Sequence, residues 1–389
     1  MSADPGRDAR DPGHPGPRGA FRAGGTAGFS HRPAPWSEIA PSLLLLLAVL
    51  PFVCGFGPVA LVESDAARAP VTEVTVREIA QAAPPAIRAR GAILEDGSTG
   101  QALWEKDADR PLPMASIAKT MTAVVALERL RPDTVIPMQV PASQLAGLSV
   151  AGIRSGERLS LREMLFGMML PSGADAALAI AQAAAGSPEQ FVALMNQRSA
   201  ALGMTNTHWV NVHGDDAPGQ VSTARDLARL GRVALDTPVL AEVVATKEHS
   251  VRGLSATYTW RNTNDLLFIR PDATGIKTGT TPAAGDTLLA SAQRGPRRAV
   301  AVVLNSPDRW GETGALFDHY FNHFAVARAD LPPSPFYRGL KLPTNAASET
   351  VPAWQLGLLS VRIELTDAGV MASWELAGRS FGQPAVVGP

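Results

Sequence analysis

The chain has 389 residues, 46% of them apolar, which is room for one large domain with appendages. Its 35 basic and 36 acidic residues leave a net charge of −1, which excludes the basic field that a nucleic-acid partner requires. A single cysteine, Cys54, excludes an intrachain disulfide and dithiol redox chemistry.

Residues 1–40, rich in Gly, Pro, Arg and Ala without periodicity, read as a disordered tail. The stretch Pro41–Val62 then runs for 22 residues without a charge, the length of a membrane-crossing helix. Arg18, Arg22 and Arg32 precede it, whereas Glu63 and Asp65 follow, so the chain beyond it is expected outside the cytoplasm. The length of the run favours a single-pass anchor in the cell membrane. A cleaved signal, with Ala67–Ala69 as the small-x-small site, would release a secreted or periplasmic protein instead.

Residues 63–86 read as a linker. From Arg90 to Pro113 two strands are predicted about a turn at Asp96–Gly100. Helical spacing follows over Met114–Leu130. Ser160 with Glu163 makes a capping box, and Ser187, Pro188 and Gln190 start a helix running to Leu202. Thr223 with Asp226 starts another. After Tyr258 the pattern changes to strands at "ATGIKTGTT", "DTLLASAQR" and "RRAVAVVLNS", and an amphipathic helix closes the region over Arg309–Phe324. Strands at both ends with helices between predict an α+β domain over residues 87–328, its end strands sharing one sheet. His319 and His323 sit four apart on the last helix, but no further ligand accompanies them in a motif, so helix packing is expected rather than a metal. Residues 329–389 open on the linker-like "LPPSPF" and hold one hairpin about Asp367–Gly369. This piece is too small for a robust core of its own and is expected to pack on the main domain or on a partner.

"PMASIAKT" at Pro113–Thr120 places Ser116 three residues before Lys119, on one helix face. A serine needs a neighbouring base to become a nucleophile, and a lysine serves only if burial favours its neutral form. Taken alone the pair also reads as a helix cap beside a solvated charge. Two later stretches change the weighting. "PSGADAALAIA" puts Ser172 at the entry of an Ala-rich helix, a second hydroxyl for proton relay. "GIKTGTT" puts Lys277, Thr278 and Gly279 on a strand, offering a cation, a hydroxyl for a carboxylate, and room for close backbone approach. Their order, S-x-x-K, then S-x-x, then K-T-G on a late strand, is that of penicillin-recognising enzymes.

With "LPMASIAKTMTA", "LPSGADAA", "LGMTNTHWVNVHG", "STARDLARLG" and "GIKTGTT", the chain from about Arg90 to Phe324 resembles the D-alanyl-D-alanine carboxypeptidases among low-molecular-mass penicillin-binding proteins. The resemblance implies a β-lactamase/transpeptidase-like fold, a five-stranded antiparallel sheet flanked by helices with an all-helical subdomain at the cleft. It implies Ser116 as the acylated nucleophile and Lys119 as its base. Ser172 and Lys277 would shuttle protons and orient the substrate, with Thr278 helping to hold its carboxylate. Backbone N–H groups of Ser116 and Thr280 would form an oxyanion hole. It also implies a stem peptide of peptidoglycan as substrate, β-lactams as ligands, and no cofactor or metal. Arg309 stands where family members carry a basic residue near the substrate carboxylate; a solvated arginine at a helix start is the competing reading.

One position departs from the family. Its second motif ends in asparagine, and here that place is Ala174, which cannot hydrogen-bond a substrate amide. Asp175 is the family's own next residue and is no substitute, and His213 in "VHG" reads as a structural loop residue. Two alternatives to a carboxypeptidase stay open. One is a weakened penicillin-binding protein acting as a wall-binding module. The other is a β-lactamase, although no E-x-x-L-N stretch follows Ser172 to supply a deacylating glutamate.

Overall fold

A computed structural model of the chain describes residues 60–63, 83–329, 348–366 and 369–387. The expected N-terminal tail, Cys54, most of the Pro41–Val62 segment and of the linker, and the "LPPSPF" stretch lie outside the described residues. Ala60–Val62, the end of the expected membrane segment, extend with Glu63 as a strand, not a helix. Among the described residues no helix is long and apolar enough to cross a membrane.

The central sheet comprises β1 (Gly91–Asp96), β2 (Ala102–Lys106), β3 (Ala273–Thr281), β4 (Gly285–Arg294) and β5 (Arg297–Leu304). Its order is β2-β1-β5-β4-β3 and every pairing is antiparallel. The two ends of the domain therefore meet at β1 and β5, with Ile93 opposite Val302. The helices are α1 (Ala118–Arg129), α2 (Leu161–Met169), α3 (Ala174–Ala185), α4 (Pro188–Ala201), α5 (Ala224–Asp236), α6 (Pro238–Ala245), the single turn α7 (Leu266–Ile269) and α8 (Arg309–His323). Local chemistry starts three of them as predicted. Ser160, Ser187 and Thr223 each accept, through the side-chain oxygen, the backbone N–H three residues on.

Strand alternation sends successive residues of β5 to opposite layers. Ala299, Ala301 and Val303 pack with Leu316, Phe317 and Tyr320 of α8. Val300, Val302 and Leu304 face the larger core, which Leu227 and Leu230 of α5 share with α1–α4. Gly231 lets α5 approach closely, since a Cβ there would lie 2.8 Å from the Leu289 side chain. His319 packs edge-on against Phe324, at a ring separation of 5.4 Å.

Beyond α8 the chain forms β6 (Phe324–Arg328), β7 (Ser348–Pro352), β8 (Leu359–Thr366) and β9 (Gly369–Leu376). The predicted hairpin is β8–β9, its turn lying outside the described residues, and Ala60–Glu63 adds to the free edge of β8. Because β6 pairs with β7, the boundary expected after residue 328 falls inside a two-stranded ribbon. This region buries Val351, Val361, Trp374, Leu376 and Phe381 in a core of its own. It also docks on the main domain through a buried knot. Asp96 Oδ2 accepts from Thr350 Oγ1 at 2.6 Å and from Tyr320 OH at 2.7 Å.

Candidate active site

Ser116 sits in a 3₁₀ turn, Ala115–Ile117, that leads directly into α1. Ala115 is held at φ +51, a left-handed conformation that non-glycine residues adopt only when their surroundings impose it. Two neighbours do so. Thr287 Oγ1 of β4 donates to Met114 O at 3.2 Å. Gly214, at φ +94, lies so close that a Cβ would overlap the Ala115 carbonyl oxygen and stand 2.8 Å from Ser116 N. The serine is thus raised on a strained turn between the sheet and the Val212–Gly214 segment.

Lys119, in the first turn of α1, is buried to 2% exposure. Its Nζ lies 2.9 Å from Ser116 Oγ and donates to His213 O at 2.7 Å. Burial drives the ammonium down to about 7, against the opposing pull of Asp175 and Asp215. A substantial neutral fraction at neutral pH, with a lone pair one hydrogen bond from a serine oxygen, meets the requirement set by the sequence. The helix-cap-and-solvated-charge alternative is corrected, because Lys119 is not solvated.

Ser172 stands at φ +66 two residues before α3, nearly buried, and its Oγ has no hydrogen-bond partner among the described residues. Lys277, 1% exposed on β3, donates to Thr278 O at 3.0 Å and reaches Thr278 Oγ1 at 3.4 Å. It makes no hydrogen bond to Ser116 or Ser172. Burial, then the charges of Lys119 and Arg309, hold it well below its ordinary value. Thr278 Oγ1 is also 2.7 Å from Thr263 Oγ1. Gly279 is needed for contact: a Cβ would come within 2.9 Å of Ala115 Cβ and of Met114 O. β3 therefore lies directly against the nucleophile turn.

Arg309 begins α8, where a cation opposes the helix dipole. Its Nη1 donates to Gly279 O at 3.1 Å and Thr280 Oγ1 at 2.8 Å, and pairs with Asp286 at 3.3 Å. The solvated-arginine reading is corrected: the side chain is held against the K-T-G strand.

Ala174 is buried, and its N–H donates to Ser149 O at 2.8 Å. Asp175 beside it accepts from the N–H groups of Ala151, Gly152, Ile153 and Ala176. It fastens the 149–153 loop over the start of α3, a structural task consistent with withholding it from the substrate. His213 proves more than a loop residue, since its carbonyl positions Lys119. Burial and the nearby Lys119 hold its imidazole down to about 4, keeping it neutral. The sequence signal for this segment was the His-Gly pair itself. Thr287 and Asp175 carried no signal that spacing could expose.

A buried lysine paired to a serine, facing a strand that presents a second lysine, defines a serine-type peptidase of the penicillin-binding class. Comparisons with known proteins agree. Residues 78–308 match the D-alanyl-D-alanine carboxypeptidase family. The chain is 34% identical over 313 residues to the D-alanyl-D-alanine carboxypeptidase DacC of Escherichia coli, covering 74% of this chain and 77% of that protein. It is 36% identical over 240 residues to DacD of Salmonella typhimurium, covering 59% of this chain and only 60% of that relative's length. Among solved structures, the Streptomyces K15 DD-transpeptidase superposes with TM-score 0.59 at 31% identity, over 61% of this chain and 98% of that one. Penicillin binding protein 6B from Escherichia coli gives 0.67 at 28% identity, over 78% and 96%. The chain belongs to the D-alanyl-D-alanine carboxypeptidase family, with its transpeptidase-like fold.

Proposed function

We propose that this protein removes the terminal D-alanine from peptidoglycan stem peptides through an acyl-enzyme on Ser116. Neutral Lys119 takes the Ser116 proton as Oγ attacks the carbonyl between the two D-alanines, giving a tetrahedral oxyanion. The N–H groups of Ser116 and Thr280 stabilise it; donors of this kind are typically worth about 3 kcal/mol each. The C–N bond then breaks, a proton passes to the leaving nitrogen through Ser172, and D-alanine departs. Water, deprotonated by Lys119, hydrolyses the ester. Thr278 and Arg309, with Lys277 beside them on β3, receive the terminal carboxylate through their hydrogen-bond donors. In a β-lactam the leaving nitrogen stays tethered to the acyl group, so the adduct persists. The 2.9 Å contact between Lys119 Nζ and Ser116 Oγ carries this reading. D-alanine release from a pentapeptide tests it: the wild type should release it and Ser116→Ala should not.

The uncharged Pro41–Val62 run and the arginines before it support a membrane anchor with the catalytic domain on the wall side. Carbonate extraction of membranes, followed by intact-mass analysis, separates an anchored chain from one cleaved after Ala69.

A further inference from the structure

The Ser172 hydroxyl is buried and has no hydrogen-bond partner among the described residues, so its place is set by the backbone on either side of it. That backbone stands at φ +66. Gly173 N–H donates to Gly167 O at 3.2 Å and Ala174 N–H to Ser149 O at 2.8 Å. Gly173 is also pressed against Ala151, since a Cβ on it would lie 2.7 Å from Ala151 Cβ and 2.8 Å from Ala151 N. Whatever moves Ala151 therefore moves the turn that carries Ser172.

Ala151 is gripped at both ends. Its N–H donates to Asp175 Oδ1 at 2.7 Å, and its carbonyl accepts from the indole Nε1 of Trp260 at 2.8 Å. The indole belongs to a distant hairpin, Glu248–Arg252 paired with Thr257–Arg261. It is 4% exposed and stacks with Tyr258 at 5.9 Å and His249 at 6.5 Å, which fixes the direction of its N–H. It also lies against α2, where a Cβ on Gly167 would meet the indole at 3.2 Å and Ala151 Cβ at 3.3 Å.

We propose that Trp260 is a positioning residue for proton delivery: through the Ala151 carbonyl it sets the turn that holds Ser172. The inference rests on the proposed relay role of Ser172 and adds the hairpin to the parts that serve it.

Leaving-group chemistry supplies a readout that a merely structural residue would not move. When the peptide C–N bond breaks, the nitrogen must gain a proton, passed through Ser172 Oγ. When a thioester C–S bond breaks, sulfur takes the bonding pair and departs as a thiolate. A thiol titrates near about 8.5, so no proton has to be delivered to it. Both reactions need Ser116 and Lys119 alike, and kcat/KM reports each from free enzyme and substrate to the transition state.

Two substrates with one acyl group are compared, a diacylated tripeptide ending in D-Ala-D-Ala and the thioester in which a mercapto acid replaces the last D-alanine. Trp260→Phe keeps a ring in the stack and removes the N–H. It should lower kcat/KM about tenfold for the peptide and less than about twofold for the thioester. Gly167→Ala, a helical substitution that crowds the indole and Ala151, should shift the peptide-to-thioester ratio in the same direction. Ser255→Ala unfastens the hairpin tip from Glu157, away from Ala151, and should leave that ratio at the wild-type value. In a Ser172→Ala background Trp260→Phe should cause no further loss with the peptide. Equal losses on the two substrates, an unchanged peptide rate, or a further loss in the Ser172→Ala background would overturn the inference and leave the relay role of Ser172 standing. Ser172→Ala should itself slow the peptide at least about a hundredfold. If it did not, the relay reading would fall, and this inference with it.

Discussion

Lys119 has to be buried to work, and that burial is the chief reason a lysine can act as a base near neutral pH. With its value near 7, the neutral fraction falls about tenfold for each pH unit below that point. Penicillin acylation should follow, rising with pH to a plateau above about 7; a flat profile from pH 5 to 8 would remove Lys119 from the base role. The same burial has a stability consequence. An unfolded lysine titrates near 10.4, so between about 7 and 10.4 the unfolded chain binds the extra proton, and this group's contribution makes stability rise with pH. Lys119→Met should abolish acylation and erase that part of the slope in urea unfolding. Gly214 poses a second question at this scale. Gly214→Ala should cut the acylation rate at least about tenfold by displacing the Ala115–Ser116 peptide, one of the proposed oxyanion donors. Gly219→Ala carries a similar backbone penalty at φ +84, yet its Cβ would meet only His208 at 3.8 Å, so its activity should persist. Equal losses in the two variants would contradict a positioning role for Gly214.

Two of the three segments that meet at the site sit on rigid elements, α1 and β3, while the third, Ser172–Ala174, depends on a loop fastened by one carboxylate. Asp175→Asn leaves a single acceptor oxygen for four N–H groups, two of them in buried hydrogen bonds, and should cost about 2 kcal/mol in urea unfolding. An unchanged midpoint would show that the loop is held by other means. The contrast also explains which elements could be read from the chain. Caps at Ser160, Ser187 and Thr223 and the alternating apolar runs of β3–β5 are local signals, and the structure matches them almost to the residue. The motif serines and lysines were legible through their order along the chain. What stayed hidden depends on contacts between distant segments. The His213 carbonyl meets Lys119 across 94 residues, and Thr287 meets Met114 across 173. The pairing of β6 is hidden in the same way, because its partner is a strand that begins only at Ser348.

In the whole molecule, a catalytic domain closed by one antiparallel sheet carries a C-terminal β region with its own small core, joined at Asp96. Burial pushes the Asp96 carboxyl up, but hydrogen bonds from Thr350, Tyr320, Thr99 and Ser98 more than offset it and hold the group below its ordinary range. The stabilisation is therefore present above about pH 4, the unfolded value, and is lost as pH falls through the lower folded one. Thr350→Val should cost about 1–2 kcal/mol and weaken this acid sensitivity, while penicillin acylation, set on the other side of the domain core by Ser116 and Lys119, stays unchanged. Loss of acylation in that variant would tie the C-terminal region to catalysis. The central claim is that burial and convergence turn one serine of this chain into a nucleophile. Peptide-mapped intact mass after brief exposure to penicillin tests it most directly. The expected result is one adduct per chain, carried by Ser116 and absent from both Ser116→Ala and Lys119→Met. An adduct on another residue, or one that survives in Ser116→Ala, would contradict the account.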